Sequence, residues 1–293
     1  MYDTLTPRVV AGVDSWPGSR AAVELAAGEA ALRRMPLVLV ATGPAPTGPA
    51  PTGTATAGSD PVLAGAVRHA CTGWPGLAVA ALAARGEPVR CLVRESCGAA
   101  LVVVGPPSGA LPHGLFCAEV ATHAWCPTLV VPPAARGPVE GPVLLGLTVS
   151  EPDEPTVAFA FEEASLRGAR LIAVHVWSTV AGTALHGINP FAYNLHQARS
   201  AADRLVADAL AEWSRKFPDV DVERMPLYDG DPAQTLLDAS ARAGLVVVGA
   251  AARTGSPLLG PVPRTMIQHA ACPVAVVRRT GPCSCWDEEP DPS

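Results

Sequence analysis

One short string occurs twice in this chain, and it constrains the fold more than any other feature. Leu-Val-Val-Val-Gly stands at 101–105 and again at 245–249, and His-Ala-x-Cys-Pro stands at 123–127 and again at 269–273. The copies are 144 and 146 residues apart, so the landmarks keep their order and almost their separation. A chain of 293 residues that carries the same landmarks twice should build the same architecture twice.

The pattern between the landmarks alternates strand and helix. Val9–Val13 is a short apolar run closed by Asp14, the signature of a buried strand. Ser15-Trp16-Pro17-Gly18-Ser19 carries turn chemistry and a helix cap, and Val23, Ala26, Ala27 and Ala30 recur on one helical face. Pro36 closes that helix before the strand Leu37–Val40. Residues 42–59 are Pro, Gly, Thr, Ala and Ser only, a low-complexity loop. A helix over 61–72, strand 77–83, helix 88–96, strand 101–104, helix 115–124 and strand 128–131 complete the first half. The second half repeats the order: strand 143–148, helix 155–167, strand 170–176, an irregular stretch 177–192 and helix 194–216. Strand 221–226, helix 232–242, strand 245–248, helix 264–270 and strand 274–277 follow. Five strands alternating with helices, joined by right-handed crossovers, predict a doubly wound α/β sheet in each half, with any site at the carboxyl ends of the strands. The domains are placed at 1–137 and 138–280, followed by an acidic tail at 281–293.

Composition removes several functions. The net charge is −6 and the pI about 5.6, which argues against a nucleic-acid partner. Lys216 is the only lysine and follows Arg215, so the Gly-Lys-Ser/Thr of a P-loop is missing. No apolar run approaches the ~18 residues of a membrane span, and the opening Met1-Tyr2-Asp3-Thr4 is not secretory in character. Eight scattered cysteines do not make a disulfide scaffold, and the expected compartment is a reducing cytoplasm.

Val-Ala-Gly-Val-Asp-Ser at 10–15, Val-Val-Val-Gly before a glycine loop, and the closing His-Ala-x-Cys-Pro resemble universal stress proteins in both halves, over about 7–132 and 140–278. The resemblance implies two tandem five-stranded parallel sheets of strand order 3-2-1-4-5 with helices on both faces. It also implies an intramolecular pseudo-dimer, with a homodimer as a further option. Many members bind ATP through an acid after strand 1 and a G-x2-G-x9-G-[ST] loop after strand 4. The matching positions here are Asp14 and Ser15, then Gly105, Ser108, Gly109 and Gly114, and in the second half Gly249, Arg253, Gly255 and Gly260. Glycines admit phosphate to the backbone amides, which donate to it.

Both loops depart from that pattern. Pro106 and Pro107 bring no amide donors, Ser108 replaces a glycine and Leu115 replaces the Ser/Thr. In the second half Thr148 stands at the acid position, Ala252 replaces a glycine and Pro261 replaces the Ser/Thr. A hydrogen bond to a charged group contributes about 1.5–3 kcal/mol, so several such losses cost orders of magnitude in affinity. The expectation is a non-catalytic stress-response or regulatory module with no resident cofactor, acting on a protein partner that the sequence does not name. The alternative is an ATP-binding sensor with slow hydrolysis, favoured in the first half because Asp14 remains; a third reading is a pure interaction module.

Other signals have plain structural readings. His123-x-x-Cys126 and His269-x-x-Cys272 offer two ligands each where structural zinc needs four, which points to core packing. Cys283 and Cys285 fall short in the same way. His175 and His113 stand near the expected mouths, as a possible base contact or as satisfied structural histidines. Glu162 and Glu163 are adjacent on a helix and read as a solvated face. The apolar stripe through Val206, Leu210 and Trp213 reads as helix-on-sheet core.

Overall fold

The computed structural model describes residues 7–43, 60–107, 112–135, 140–147, 153–177, 195–228, 231–250 and 259–279. The low-complexity loop from 44 to 59, the stretch 178–192, Thr148 and the tail at 281–293 lie outside them. The chain divides into two compact units, Met1–Leu129 with Arg278–Ser293 and Val130–Val277, so that strand β5 runs across the first boundary.

The first unit contains β1 (Val9–Val13), α1 (Arg20–Arg33), β2 (Leu37–Gly43), α2 (Pro61–Gly73), β3 (Val79–Arg85), α3 (Pro88–Glu95), β4 (Leu101–Val104), α4 (His113–His123) and β5 (Thr128–Val130). Its strand order is β3-β2-β1-β4-β5, with β1 parallel to both β2 and β4 and β2 parallel to β3. The second contains β6 (Val143–Leu147), α5 (Glu154–Arg167), β7 (Leu171–Trp177), α6 (Leu195–Lys216), β8 (Val222–Tyr228), α7 (Pro232–Ser240), β9 (Leu245–Gly249), α8 (Pro261–His269) and β10 (Val274–Val277). Its order is β8-β7-β6-β9-β10, with parallel pairing throughout. Counted within each unit, both orders are 3-2-1-4-5, as the repeat requires. Helices α1 and α2 pack as one pair and α3 and α4 as the other, and the second unit pairs α5 with α6 and α7 with α8.

The duplication reaches individual contacts. A Cβ on Gly12 would stand 3.1 Å from Leu92 Cδ1, and one on Gly146 would stand 3.0 Å from Leu236 Cδ1. Each first strand therefore lacks a side chain where a leucine of the third helix presses onto it. Helices α1 and α5 both run for 14 residues and both end in a left-handed cap, at Arg34 and Gly168. Each carries a buried i,i+4 ion pair at the same place, Glu29–Arg33 and Glu163–Arg167. This corrects the solvated reading of Glu163. The adjacent carboxylates do point apart, but only Glu162 reaches solvent, and Glu163 is fully buried against Arg167. Burial pushes the Glu29 carboxyl up against the opposing pull of Arg33.

A second polar device also occurs twice. Ser96 Oγ donates to Val93 O at 2.5 Å and accepts from Trp125 N at 2.9 Å; Ser240 Oγ donates to Leu237 O at 2.6 Å and accepts from Ala271 N at 3.1 Å. Each hydroxyl ties the end of the unit's third helix to the turn before its last strand. That turn is the His-Ala-x-Cys-Pro motif. Its alanine is buried at 124 and 270, its cysteine is buried at 126 and 272, and its proline carbonyl accepts from Val102 N or Val246 N.

Some boundaries differ from the sequence expectation. Helix α4 opens at His113 rather than near 115, because the Pro112 carbonyl accepts from both Leu115 N and Phe116 N and closes the first turn early. Helix α8 opens at Pro261 rather than 264; a proline at the first helical position lacks only an amide that would have no partner there. Among the described residues no helix is long and apolar enough to cross a membrane.

Removing one member of a buried pair leaves a charge in the core. Arg33→Ala is expected to destabilise the fold by about 3–5 kcal/mol, and Arg167→Ala similarly. Replacing both partners (Glu29→Gln with Arg33→Met) should cost less than Arg33→Ala alone. Urea unfolding followed by circular dichroism measures all three.

Candidate functional site

Strand β1 delivers Asp14 to its carboxyl end, where the chain turns into α1. Ser19, the residue before that helix, organises the turn. Its hydroxyl donates to Asp14 Oδ1 at 2.9 Å and accepts from Asp14 N at 3.2 Å and Ser15 N at 3.5 Å. Ser19 is itself buried, while Asp14 is exposed. The carboxylate is thus oriented from beneath and presented to solvent. Ser15 carries this turn through its carbonyl, which accepts from Ser19 N at 3.0 Å.

Gly105 ends the neighbouring strand. The β1–β4 register runs Val9–Leu101 to Ala11–Val103, and its continuation sets Gly105 level with Val13, one residue short of Asp14. Gly105 and Gly249 do not have positive φ, so neither is required by a left-handed bend. Their reason is close approach. A Cβ on Gly105 would lie 3.1 Å from Ala22 Cβ of α1, and one on Gly249 would lie 3.0 Å from Asp153 Oδ2 and 3.3 Å from Thr156 Oγ1 of α5. Gly260 is likewise extended, with φ −64 and ψ 168, and precedes α8. Gly114 sits inside the first turn of α4 rather than in the loop. Ser108, Gly109, Arg253 and Gly255 lie outside the described residues, as do Cys283 and Cys285.

The base of the second loop is tied to its own backbone. Ala250 N donates to Val277 O at 2.8 Å, and Gly260 N donates to Ala250 O at 3.0 Å. In the first loop the residue after Gly105 is Pro106, which has no amide to commit.

The Trp16–His69 pair was not legible as part of the site. The Trp16 indole lies on α2, where a Cβ on Gly65 would come within 2.6 Å of its Cδ1. Its ring stands 5.3 Å from His69, whose Nε2 lies 2.9 Å from Glu24 Oε1, and Arg20 Nε donates to the same oxygen at 2.8 Å. The turn holding Asp14 is therefore braced against two helices. The spacing of Trp16 and Gly65 gave no sequence signal, because the contact joins segments 49 residues apart across the low-complexity loop.

The remaining candidates divide between buried and exposed groups. His175 is buried, with Nδ1 3.2 Å from Leu147 O, and burial pushes its pKa down. His113 Nδ1 is 3.4 Å from Cys117 Sγ, a buried thiol that burial pushes up. His123 and His269 are exposed while Cys126 and Cys272 are buried, their thiols pushed up to about 12 by desolvation. Histidine and cysteine of the motif therefore face different environments, and among the described residues no group of three metal-ligating side chains forms. Cys97 is disulfide-bonded, whereas Cys71, Cys91, Cys117, Cys126 and Cys272 are free.

The family model described as "Universal stress protein family" matches residues 6–132 and again 141–278. The chain belongs to the universal stress protein family. A universal stress protein of Mycobacterium tuberculosis is 35% identical over 93% of this chain and 97% of its own length. A universal stress protein of Mycolicibacterium smegmatis is 34% identical over 92% and 96%. Among solved structures, a universal stress protein from Archaeoglobus fulgidus shares the fold with a TM-score of 0.64 at 14% identity, covering 92% of this chain and 98% of that one. Both relatives of this universal stress protein match it along nearly their full length.

If the motif cysteines serve packing, native alkylation with iodoacetamide should label the exposed Cys71 and spare Cys126 and Cys272 until urea unfolds the chain. Mass spectrometry of the peptides reads the result; fast native labelling of Cys126 or Cys272 would contradict the buried placement.

Proposed function

We propose that this universal stress protein is a non-catalytic regulatory module whose first unit takes a nucleoside phosphate, with ATP as the family's ligand class, and takes it weakly. The observation that carries this reading is the Asp14 carboxylate: exposed, and oriented by Ser19 at the carboxyl end of β1 beside Gly105. An acid in that place suits the two hydroxyls of a ribose, each of which can donate to a carboxylate oxygen.

The loop chemistry supports weak binding without turnover. Pro106 and Pro107 supply no amides to a phosphate, and Leu115 stands where the family pattern has a hydroxyl. Phosphoryl transfer needs dense charge stabilisation and a positioned water, and a loop depleted of donors supplies little of the first. Ligand would act by changing the surface around Asp14 that a partner protein reads.

Isothermal titration of the full chain with ATP and AMP tests the reading. Binding is expected to be weaker than about 10 μM, and Asp14→Ala should weaken it at least about tenfold, by loss of charge-assisted hydrogen bonds. Phosphate release should stay at the level of a protein-free control. Sub-micromolar ATP binding, or release abolished by an Asp14 substitution, would refute it.

A further inference from the structure

The turn that carries Asp14 is closed into a ring of contacts, and the ring passes through one histidine. Trp16 stands two residues after Asp14, and its indole lies 5.3 Å from the His69 ring of α2. His69 Nε2 lies 2.9 Å from Glu24 Oε1 of α1, and Arg20 Nε donates to the same oxygen at 2.8 Å. The ring returns to the turn through the backbone, where Arg20 N donates to Pro17 O at 3.0 Å. Burial by itself would raise the Glu24 carboxyl; hydrogen bonds from Arg20 and His69 outweigh it and hold the group below its ordinary range. Glu24 is therefore an anion, and His69 Nε2 carries the hydrogen between them.

The second unit has other residues at these places. Helices α1 and α5 align through Glu29–Arg33 and Glu163–Arg167. That alignment puts Glu154 at the place of Arg20, Ala158 at that of Glu24 and Ser150 at that of Trp16. The ring thus belongs to the unit that presents Asp14.

Histidine is the side chain whose charge changes near neutral pH. A proton on His69 turns its hydrogen bond to Glu24 into an ion pair, and it sets a cation within the ~6 Å range of attraction to the indole face. Both changes tighten the ring around the turn. The elements packed on α2 are α1, β1, β2 and β3. Helix α1 brings Glu24 and Arg20, while its Glu29 and Arg33 pair with each other. Strands β1 and β2 carry no charged residue, and β3 carries Arg85 at its last position. The other ionisable groups of α2 are Arg68 and Cys71, and the turn adds Asp14.

We propose that His69 is a positioning residue for Asp14 and makes the first-unit site proton-sensitive: its charged form holds Trp16 and the turn, and nucleotide binds more tightly. This deepens the nucleotide reading of that unit and rests on it. By linkage, bound nucleotide must in turn favour the charged form of His69.

Calorimetric titration of the full chain with AMP at about pH 6 and about pH 8 tests it, together with tryptophan fluorescence over the same range. His69→Gln keeps a donor for Glu24 but takes up no proton, so its affinity ratio between the two conditions carries every pH effect except that of His69. The wild-type ratio should exceed it about threefold in favour of the lower pH, and Glu24→Gln should remove the excess. A protonated imidazole quenches a neighbouring indole. Emission of the ligand-free wild-type chain should fall as the pH drops, the fall should be smaller in His69→Gln and in Trp16→Phe, and AMP should move its midpoint to higher pH. Equal affinity ratios in wild type and His69→Gln overturn the proposal, as does a quench that survives Trp16→Phe undiminished. If AMP binds at neither pH, the nucleotide reading fails instead, and the Trp16-dependent quench alone then decides for or against the proton-sensing ring.

Discussion

The positions of the strand ends in this protein depend on helices that press onto the sheet at glycines. Gly12 and Gly105 in the first unit, and Gly146 and Gly249 in the second, leave no side chain where Leu92, Ala22, Leu236 and Thr156 press in. Aromatic residues are only 5% of the chain, and Val, Leu and Ala make up most of the core beside a few larger residues such as Phe161, so close packing is required. The close approach of α1 carries its start to the ends of β1 and β4, and so fixes Ser19 under Asp14. A larger residue at Gly105 would push α1 outward and dissolve that arrangement.

Polar groups then lock what apolar packing only permits. The Glu29–Arg33 and Glu163–Arg167 pairs lie in the buried part of the first helix of each unit, and Ser96 and Ser240 fasten the third helix to the closing turn. Buried polar groups of this kind are costly unless satisfied, so they tolerate few alternative packings. Their presence at matching places in both units shows that the duplication preserved the frame. In sequence the two halves differ where Asp14 and Ser19 of the first correspond to Thr148 and Asp153 of the second.

The fold was largely legible because its signals are local and repeated. The apolar runs, the prolines and the two landmark strings mark each crossover, and parallel strand order follows from alternation. Glu163 was misread because adjacency on a helix separates two carboxylates but does not say which one faces the core; Arg167 one turn later was the available signal. Gly105 and Gly249 were visible as glycines, but their cause, a neighbour 3.1 or 3.0 Å away, belongs to tertiary contact. The Ser19–Asp14 bond and the placement of Asp153 had a faint signature, the same five-residue spacing in both halves with the residue types exchanged. Trp16 against Gly65 had none, since nothing local links the two positions.

The central claim is that the first unit of a duplicated frame presents an exposed carboxylate, Asp14, oriented by Ser19 at the carboxyl end of β1. Amide resonances followed by two-dimensional NMR during an AMP titration test it most directly. The account predicts shifts at Asp14, Ser15 and Ser19, with Gly249, Ala250 and Thr156 unmoved. Matching shifts at both sets of residues, or movement confined to the second, would contradict it.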